Sequence, residues 1–143
     1  MNFDNSFALT FPSRSSNEAF ARSAVACFVA QLDPTLEELG DIRTAVSEAV
    51  TNCIVHAYPD KIGTITIRCK ILKDNVVDIT IKDKGVGIVD IDQARQPMFT
   101  TGGMERSGMG FVIMESFMTS LTVKSVPGKG TTVRMRRKIQ RRK

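Results

Sequence analysis

Glu48, Asn52 and His56 recur at a spacing of four, which stacks side chains along one face of a helix. Three glycine pairs follow them in order: Asp83-Lys-Gly85-Val-Gly87, Ser107-Gly108-Met109-Gly110 and Gly128-Lys-Gly130-Thr131. Magnesium takes octahedral oxygen ligands, keeps several waters and often uses only one or two protein ligands beside substrate phosphates, so the Asn52 carbonyl could anchor it alone. Glu48, about 6 Å away and one turn earlier, could receive the proton of an attacking hydroxyl. His56 is the one histidine in the chain. With no second histidine or cysteine at metal-ligand spacing, it is expected to be a hydrogen-bonding partner near the helix end. Taken alone, the trio reads first as a face that is solvated or hydrogen-bonded along the helix.

The glycine pairs turn that face into a pocket. Asp83 ends an alternating strand, where a carboxylate can accept a hydrogen bond from an exocyclic amine such as that of adenine. Gly85 and Gly87 would let the backbone approach a flat ring, although an Asp-x-Gly-x-Gly string also describes an ordinary turn. Gly108 and Gly110 precede a helix whose first amides and dipole could hold phosphate, or they could be plain caps. Gly128-Lys-Gly130 is a hairpin turn by itself, and the Thr131 hydroxyl could reach the adenine edge beside Asp83. Together they describe a site for ATP with magnesium and a catalytic base. The phosphate loop with its Gly-Lys-Ser/Thr ending, the dinucleotide glycine spacing and the common protein-kinase motifs are all absent.

The elements that must position these residues follow from periodicity. Residues 6–11 alternate Phe7, Leu9 and Phe11 with small or polar residues, an opening strand. Ser15 with Glu18 forms a capping box for a first helix whose apolar face would run through Phe20, Ala24, Cys27 and Phe28 before Asp33-Pro34. Thr35 with Glu38 repeats the signal and opens a longer helix, to about Ala57. Counted at about 100° per residue, its residues Leu39, Ile42, Val46, Ala49, Val50, Cys53 and Ala57 form a core stripe. Glu48, Asn52 and His56 lie beside that stripe, where the buried face should meet a cleft. Residues 64–72 and 76–82 read as strands joined at Asp74-Asn75. Over residues 90–106 the pattern weakens, predicting a short helix before Gln96-Pro97 and a mobile loop after it. Residues 110–118 read as a helix, and 121–126 and 132–137 as a hairpin turning at residues 127–130.

A length of 143 residues suits one domain spanning 1–143. With 42% apolar and 24% charged residues, the composition is that of a globular protein. The first residues carry no export signal and no apolar stretch could cross a bilayer, so the expectation is a cytoplasmic chain without membrane contact. Cys27, Cys53 and Cys69 lack metal or redox spacing and are expected to be reduced core residues. Arg134, Arg136, Arg137, Lys138, Arg141, Arg142 and Lys143 crowd the last ten positions. As no aromatic interleaves them for base stacking, a frayed, solvated strand end is expected there in preference to a nucleic-acid contact.

Glu48-x-x-x-Asn52, Asp83-x-Gly85-x-Gly87, Gly108-x-Gly110 and Gly128-x-Gly130-Thr131 resemble the four boxes of the GHKL superfamily of ATPases and kinases. The strings around them, such as Thr44-Ala-Val-Ser-Glu-Ala-Val-Thr-Asn52 and Arg106-Ser-Gly-Met-Gly-Phe111, are similar to its narrower family of anti-sigma serine kinases from endospore-forming bacteria. The likeness covers nearly the whole chain. It implies an α+β fold, a two-layer sandwich with helices on one face of a mostly antiparallel sheet. It also implies a homodimer that sequesters a sporulation sigma factor and uses ATP, releasing ADP, to phosphorylate a serine on an anti-anti-sigma factor. On that mapping Glu48 is the general base, Asn52 binds Mg2+, Asp83 reads adenine, Gly108, Met109 and Gly110 meet the phosphates, and Thr100, Thr101, Arg106 and Ser107 form a lid. Arg22, on the first helix, is a candidate partner contact. The competing reading is a nucleotide-gated binding protein without kinase chemistry, and Glu48 weighs against it because pure sensing needs no base.

Overall fold

The computed structural model describes residues 3–96 and 110–140. Five strands form one sheet: β1 (Phe3–Pro12), β2 (Thr64–Leu72), β3 (Val76–Asp83), β4 (Ser120–Val126) and β5 (Gly130–Lys138), ordered β1-β2-β3-β5-β4, with every neighbouring pair antiparallel. The alternation in the sequence sets which side chains go inward. Ile65, Ile67, Cys69, Ile71, Val77, Ile79, Ile81, Val133 and Met135 are all buried on the same face, and each fully buried aliphatic side chain contributes roughly 1.5–3 kcal/mol. Against that face lie α1 (Asn17–Val29), α2 (Leu36–Asn52) and α4 (Gly110–Phe117), while α3 (Ile91–Ala94) is a single short turn beside β4. The α+β two-layer sandwich is therefore observed.

The turns follow their residues. Asp74 and Asn75 adopt φ of 64° and 59° between β2 and β3, the left-handed region that Asp and Asn tolerate best among residues with a side chain. Between β4 and β5, Lys129 donates back to the Val126 carbonyl at 2.9 Å with Gly128 at φ 81°, as a Pro-Gly type II turn requires. The Thr35 and Glu38 capping box forms in both directions, at 2.9 and 2.8 Å.

Several expectations are corrected. The Ser15 capping box is absent: α1 starts after Ser16, whose backbone is itself helical and whose hydroxyl makes no cap bond. A capping side chain needs a non-helical backbone to reach back to the N2 or N3 amide. Glu18 instead reaches forward to Arg22, with oxygens 2.5 and 2.7 Å from the guanidinium. The buried face of α1 is Ala21, Val25 and Val29, whereas Phe20 is 52% exposed and Cys27 is exposed. Small side chains allow α1 to pack closely against α2, and among the larger ones Phe28 turns to the sheet edge, its ring 4.7 Å from that of Phe7.

The strand end is not frayed through residue 140. Arg137 bonds Asp41 on α2 at 2.8 Å and also the Phe117 carbonyl, Ile139 is fully buried, and the Gln140 amide donates to Glu38 at 2.8 Å. Arg141, Arg142 and Lys143 lie outside the described residues.

Cys53 and Cys69 are buried, and burial pushes the Cys53 thiol well up and that of Cys69 up to about 12. A neutral buried thiol stabilises the fold fully below its ordinary value of 9.0, and that contribution is lost as pH climbs toward the folded value. At pH 8 a disulfide-exchange reagent is therefore expected to titrate one thiol rapidly, Cys27, and the other two only after unfolding. Two or more fast thiols in the native protein would contradict this packing.

Candidate active site

The α-helical bonding of α2 stops at Asn52, and Cys53–Ala57 continues as a π-helical turn closed by Tyr58 N–H on the Cys53 carbonyl at 3.2 Å. The expected uniform helix to Ala57 is thus corrected: one wider turn rotates its last residues away from the 100° count. It leaves Asn52, Cys53, His56 and Ala57 all on the wall of a cavity of about 500 Å³. The opposite wall comes from the loop after β3, with Gly87, Ile88 and Asp90. Asp83 and Thr131 close the floor, and Ala94 and Phe111 the sides. Most of the lining is apolar, with a few convergent polar groups, which is the composition of a small-molecule site.

Asp83 organises the floor. It is 5% exposed, and its Oδ1 accepts the amides of Gly85 at 2.9 Å and Thr131 at 3.1 Å, so one oxygen ties the β3 loop to β5. The other oxygen, Oδ2, faces the Cys53 thiol at 3.5 Å. That oxygen keeps acceptor capacity for an amine. The nearby carboxylate, after burial, is the second reason the Cys53 thiol stays protonated. Thr131 adds a hydroxyl, shared with Ser125 at 2.8 Å, and Ser125 also holds the Gly130 carbonyl at 3.0 Å and the Ile88 amide at 2.7 Å. Ser125 thereby braces the loop wall from β4.

The glycines are required by close backbone approach. A Cβ on Gly85 would sit 2.2 Å from the Ala57 carbonyl oxygen, and one on Gly130 2.2 Å from that of Asp83. Gly85 itself does not line the cavity; its missing side chain lets the end of the π turn dock on the loop, where the Val86 amide bonds Ala57 O at 3.0 Å. Gly87, at φ 77°, lies against Val126 and Pro127. Gly110 opens α4 beside the Asn52 carboxamide: a Cβ there would lie 3.2 Å from both its oxygen and its nitrogen. The start of α4 and Asn52 therefore meet at one mouth of the cavity.

Of the sequence-derived candidates, the structure brings together Asn52, Asp83, Gly87, Gly110 and Thr131, with His56 beside them. Glu48 is half-buried one turn up α2 and is not part of the cavity wall. Thr100, Thr101, Arg106, Ser107, Gly108 and Met109 lie outside the described residues. Arg95, just after α3, and Glu115 on α4 form an ion pair at 2.8 Å. Arg22 is engaged by Glu18 on its own helix. Sequence reasoning missed Cys53 as a site residue, because its period placed it in the core stripe, and Ser125, which carried no motif. Among the described residues no group of three or more His, Cys, Asp or Glu could hold a metal ion. No helix of the described residues is long and apolar enough to cross a membrane.

Comparisons with known proteins identify the family. Residues 11–137 match the model of the histidine kinase-like ATPase domain. The chain is 58% identical over 142 residues to the anti-sigma F factor of Caldanaerobacter subterraneus subsp. tengcongensis, covering 99% of both chains, and 56% identical over 140 residues to that of Thermoanaerobacter sp. strain X514, covering 97% of both. Among solved structures, the RsbU and RsbW domains of Rv1364c from Mycobacterium tuberculosis align with a TM-score of 0.71 at 17% identity, over 97% of this chain and 34% of that one. The histidine kinase domain of the Erythrobacter litoralis EL346 blue-light activated kinase aligns with a TM-score of 0.59 at 22% identity, over 85% and 60%. These two share the fold. The match along nearly the full length of both chains carries the conclusion that the chain belongs to the anti-sigma F factor family of histidine kinase-like ATPase domains.

Proposed function

We propose that this protein is a cytoplasmic, homodimeric anti-sigma factor that sequesters a sporulation sigma factor and, as an ATP-dependent serine kinase, phosphorylates an anti-anti-sigma factor. The observation that carries the nucleotide part of this reading is the meeting of Asn52 with Gly110 above a floor made by Asp83 and Thr131. The residues fit the group: the Asp83 Oδ2 atom has acceptor capacity for a purine amine, the walls are apolar enough for a base, and the start of α4 offers amides to phosphate. ATP with magnesium, when bound, supplies the transferable phosphoryl group and neutralises its charge.

The chain's own residues do the rest. Asn52 would hold the ion through its carboxamide oxygen, Asp83 would orient the base, and Gly108, Met109 and Gly110 would donate backbone amides. Thr100, Thr101, Arg106 and Ser107 would close over the phosphates, with Arg106 contributing positive charge. Glu48 would accept the proton of the partner's serine hydroxyl. The phosphate adds about two negative charges to the partner, enough to break a complementary contact with this chain.

The deciding experiment incubates the protein with γ-labelled ATP and a small anti-anti-sigma protein and locates the label. Label on serine is the expected result. Nucleotide-dependent binding without transfer would instead favour a nucleotide-gated binding protein, the reading helped by the position of Glu48 outside the cavity wall. Asn52→Ala is expected to remove the magnesium dependence of ATP binding, weakening it about tenfold or more in magnesium and little in chelator. An unchanged magnesium titration would remove Asn52 from the ion's ligands.

A further inference from the structure

The face of the sheet turned away from the helices carries an ordered cation lattice. Cross-strand register sets three full rows across it: Ser6, Lys70, Asp78, Arg136 and Ser120; then Ala8, Arg68, Thr80, Arg134 and Thr122; then Thr10, Thr66, Lys82, Thr132 and Lys124. Lys138, opposite Val76, extends the face at one end. Seven cations thus share these paired positions with one acid, Asp78, which is 3% exposed beneath Arg134 and Arg136. Arg134 grips its carboxylate through Nε and Nη2, at 3.2 and 2.6 Å, and Arg136 through Nε at 3.2 Å. The buried carboxylate holds two guanidiniums on the sheet while their outer edges remain in solvent, the side chains being 51% and 43% exposed. These positions together carry a formal charge of +6, while the chain's other 13 basic and 14 acidic residues nearly cancel.

We propose that this open face is a docking surface for the phosphate backbone of a duplex nucleic acid. Strands about 4.8 Å apart with same-face residues about 6.8 Å apart make it roughly 20 Å square, and duplex DNA presents one phosphate per about 1.7 Å of its axis. Threonine and serine hydroxyls stand between the cations, and these groups with Arg and Lys are the usual phosphate partners. Protein interfaces centre on apolar or aromatic anchors with charge depleted, whereas the centre here is Arg68, Thr80 and Arg134. The missing aromatics argue against single-strand stacking but not against backbone contact, which needs none. Among the described residues no helix crosses this face, and the cavity opens on the other side of the sheet.

The test is fluorescence anisotropy of a labelled, mixed-sequence duplex titrated with the full chain at about 50 and 200 mM salt. Micromolar binding is expected at the lower salt, with a log–log salt slope near −4, as for about four or five neutralised phosphates. Arg68→Glu with Lys82→Glu should weaken binding about tenfold or more and flatten the slope by about two, while ATP affinity and the circular dichroism melt stay unchanged. Should the reversed pair fail to fold, Arg68→Gln with Lys82→Gln should give the same direction at smaller amplitude. Loss of binding on deleting residues 141–143 with the sheet pair neutral, no binding at low salt, or polyglutamate competing as well as unlabelled duplex would each overturn the proposal, the last in favour of an acidic protein.

Discussion

Replacing Glu48 with alanine is expected to slow serine phosphorylation by about 10²- to 10⁴-fold, the usual share of a positioned general base, while ATP affinity changes by less than about threefold. The two effects should separate because of where the residue sits. Glu48 is half-buried on α2, one turn before Asn52, and the cavity wall does not include it. Removing its carboxylate therefore leaves the Asp83 floor, the start of α4 and the Asn52 carboxamide as they are. Phosphoryl transfer depends mostly on positioning and electrostatics, so some transfer should survive. Glu48→Gln keeps the shape and loses the base, and it should fall with the alanine variant in single-turnover transfer. Transfer at the original rate in Glu48→Ala would move the base elsewhere. A joint fall in ATP affinity would make Glu48 a residue that supports the site.

The parts of this fold that the sequence made legible are those governed by neighbours in the chain. Thr35 and Glu38 sit three residues apart and form the box they announce. Ile65, Ile67, Cys69 and Ile71 alternate and go inward together, and Asp74-Asn75 turns where left-handed residues were needed. The Ser15 box failed within the same range because two serines stand in a row and the backbone at Ser16 is already helical, a choice that residue type alone does not make. The π turn after Asn52 was hidden for another reason. Its cause is tertiary: the Ala57 carbonyl is held by the Val86 amide and wedged against Gly85, a contact across 28 and 29 residues. Separations of 30 to 58 residues hid the Cys53 to Asp83 bond, the Ser125 brace on Ile88 and the pairing of Asp78 with Arg134 and Arg136. Glycine motifs pointed to loops beside the cavity, but periodicity could not tell that Gly85 accommodates protein backbone while Gly110 accommodates the Asn52 carboxamide. The basic run misled because its charge was read along the chain. In the sheet its alternate members point to opposite faces, Arg137 to the helices and Arg134, Arg136 and Lys138 to the open side.

The substitution Asp83→Asn is expected to weaken ATP binding about 10²-fold or more while lowering the melting temperature by only a few degrees. The two oxygens of Asp83 have different work, which is why the effects should diverge. Oδ1 accepts the Gly85 and Thr131 amides, and an asparagine carbonyl can go on doing so. Oδ2, which faces Cys53, becomes an NH2 group. A donor then faces the thiol and any incoming purine amine, and a buried donor left without an acceptor costs about 1–3 kcal/mol. Losing the charge-assisted bond to the amine adds a comparable amount, and about 2.8 kcal/mol is a hundredfold in affinity. Asp83→Ala should behave differently, because it also strands both amides and loosens β3 from β5, lowering stability by about 2–4 kcal/mol. Calorimetric titration with ATP and with its analogue lacking the exocyclic amine separates base reading from loop support. The analogue should bind the native protein weakly and lose little further in Asp83→Asn, since the amine and Oδ2 form one interaction and their deletions should not add. Equal losses for both nucleotides would make Asp83 a brace of the loop with no part in reading the base.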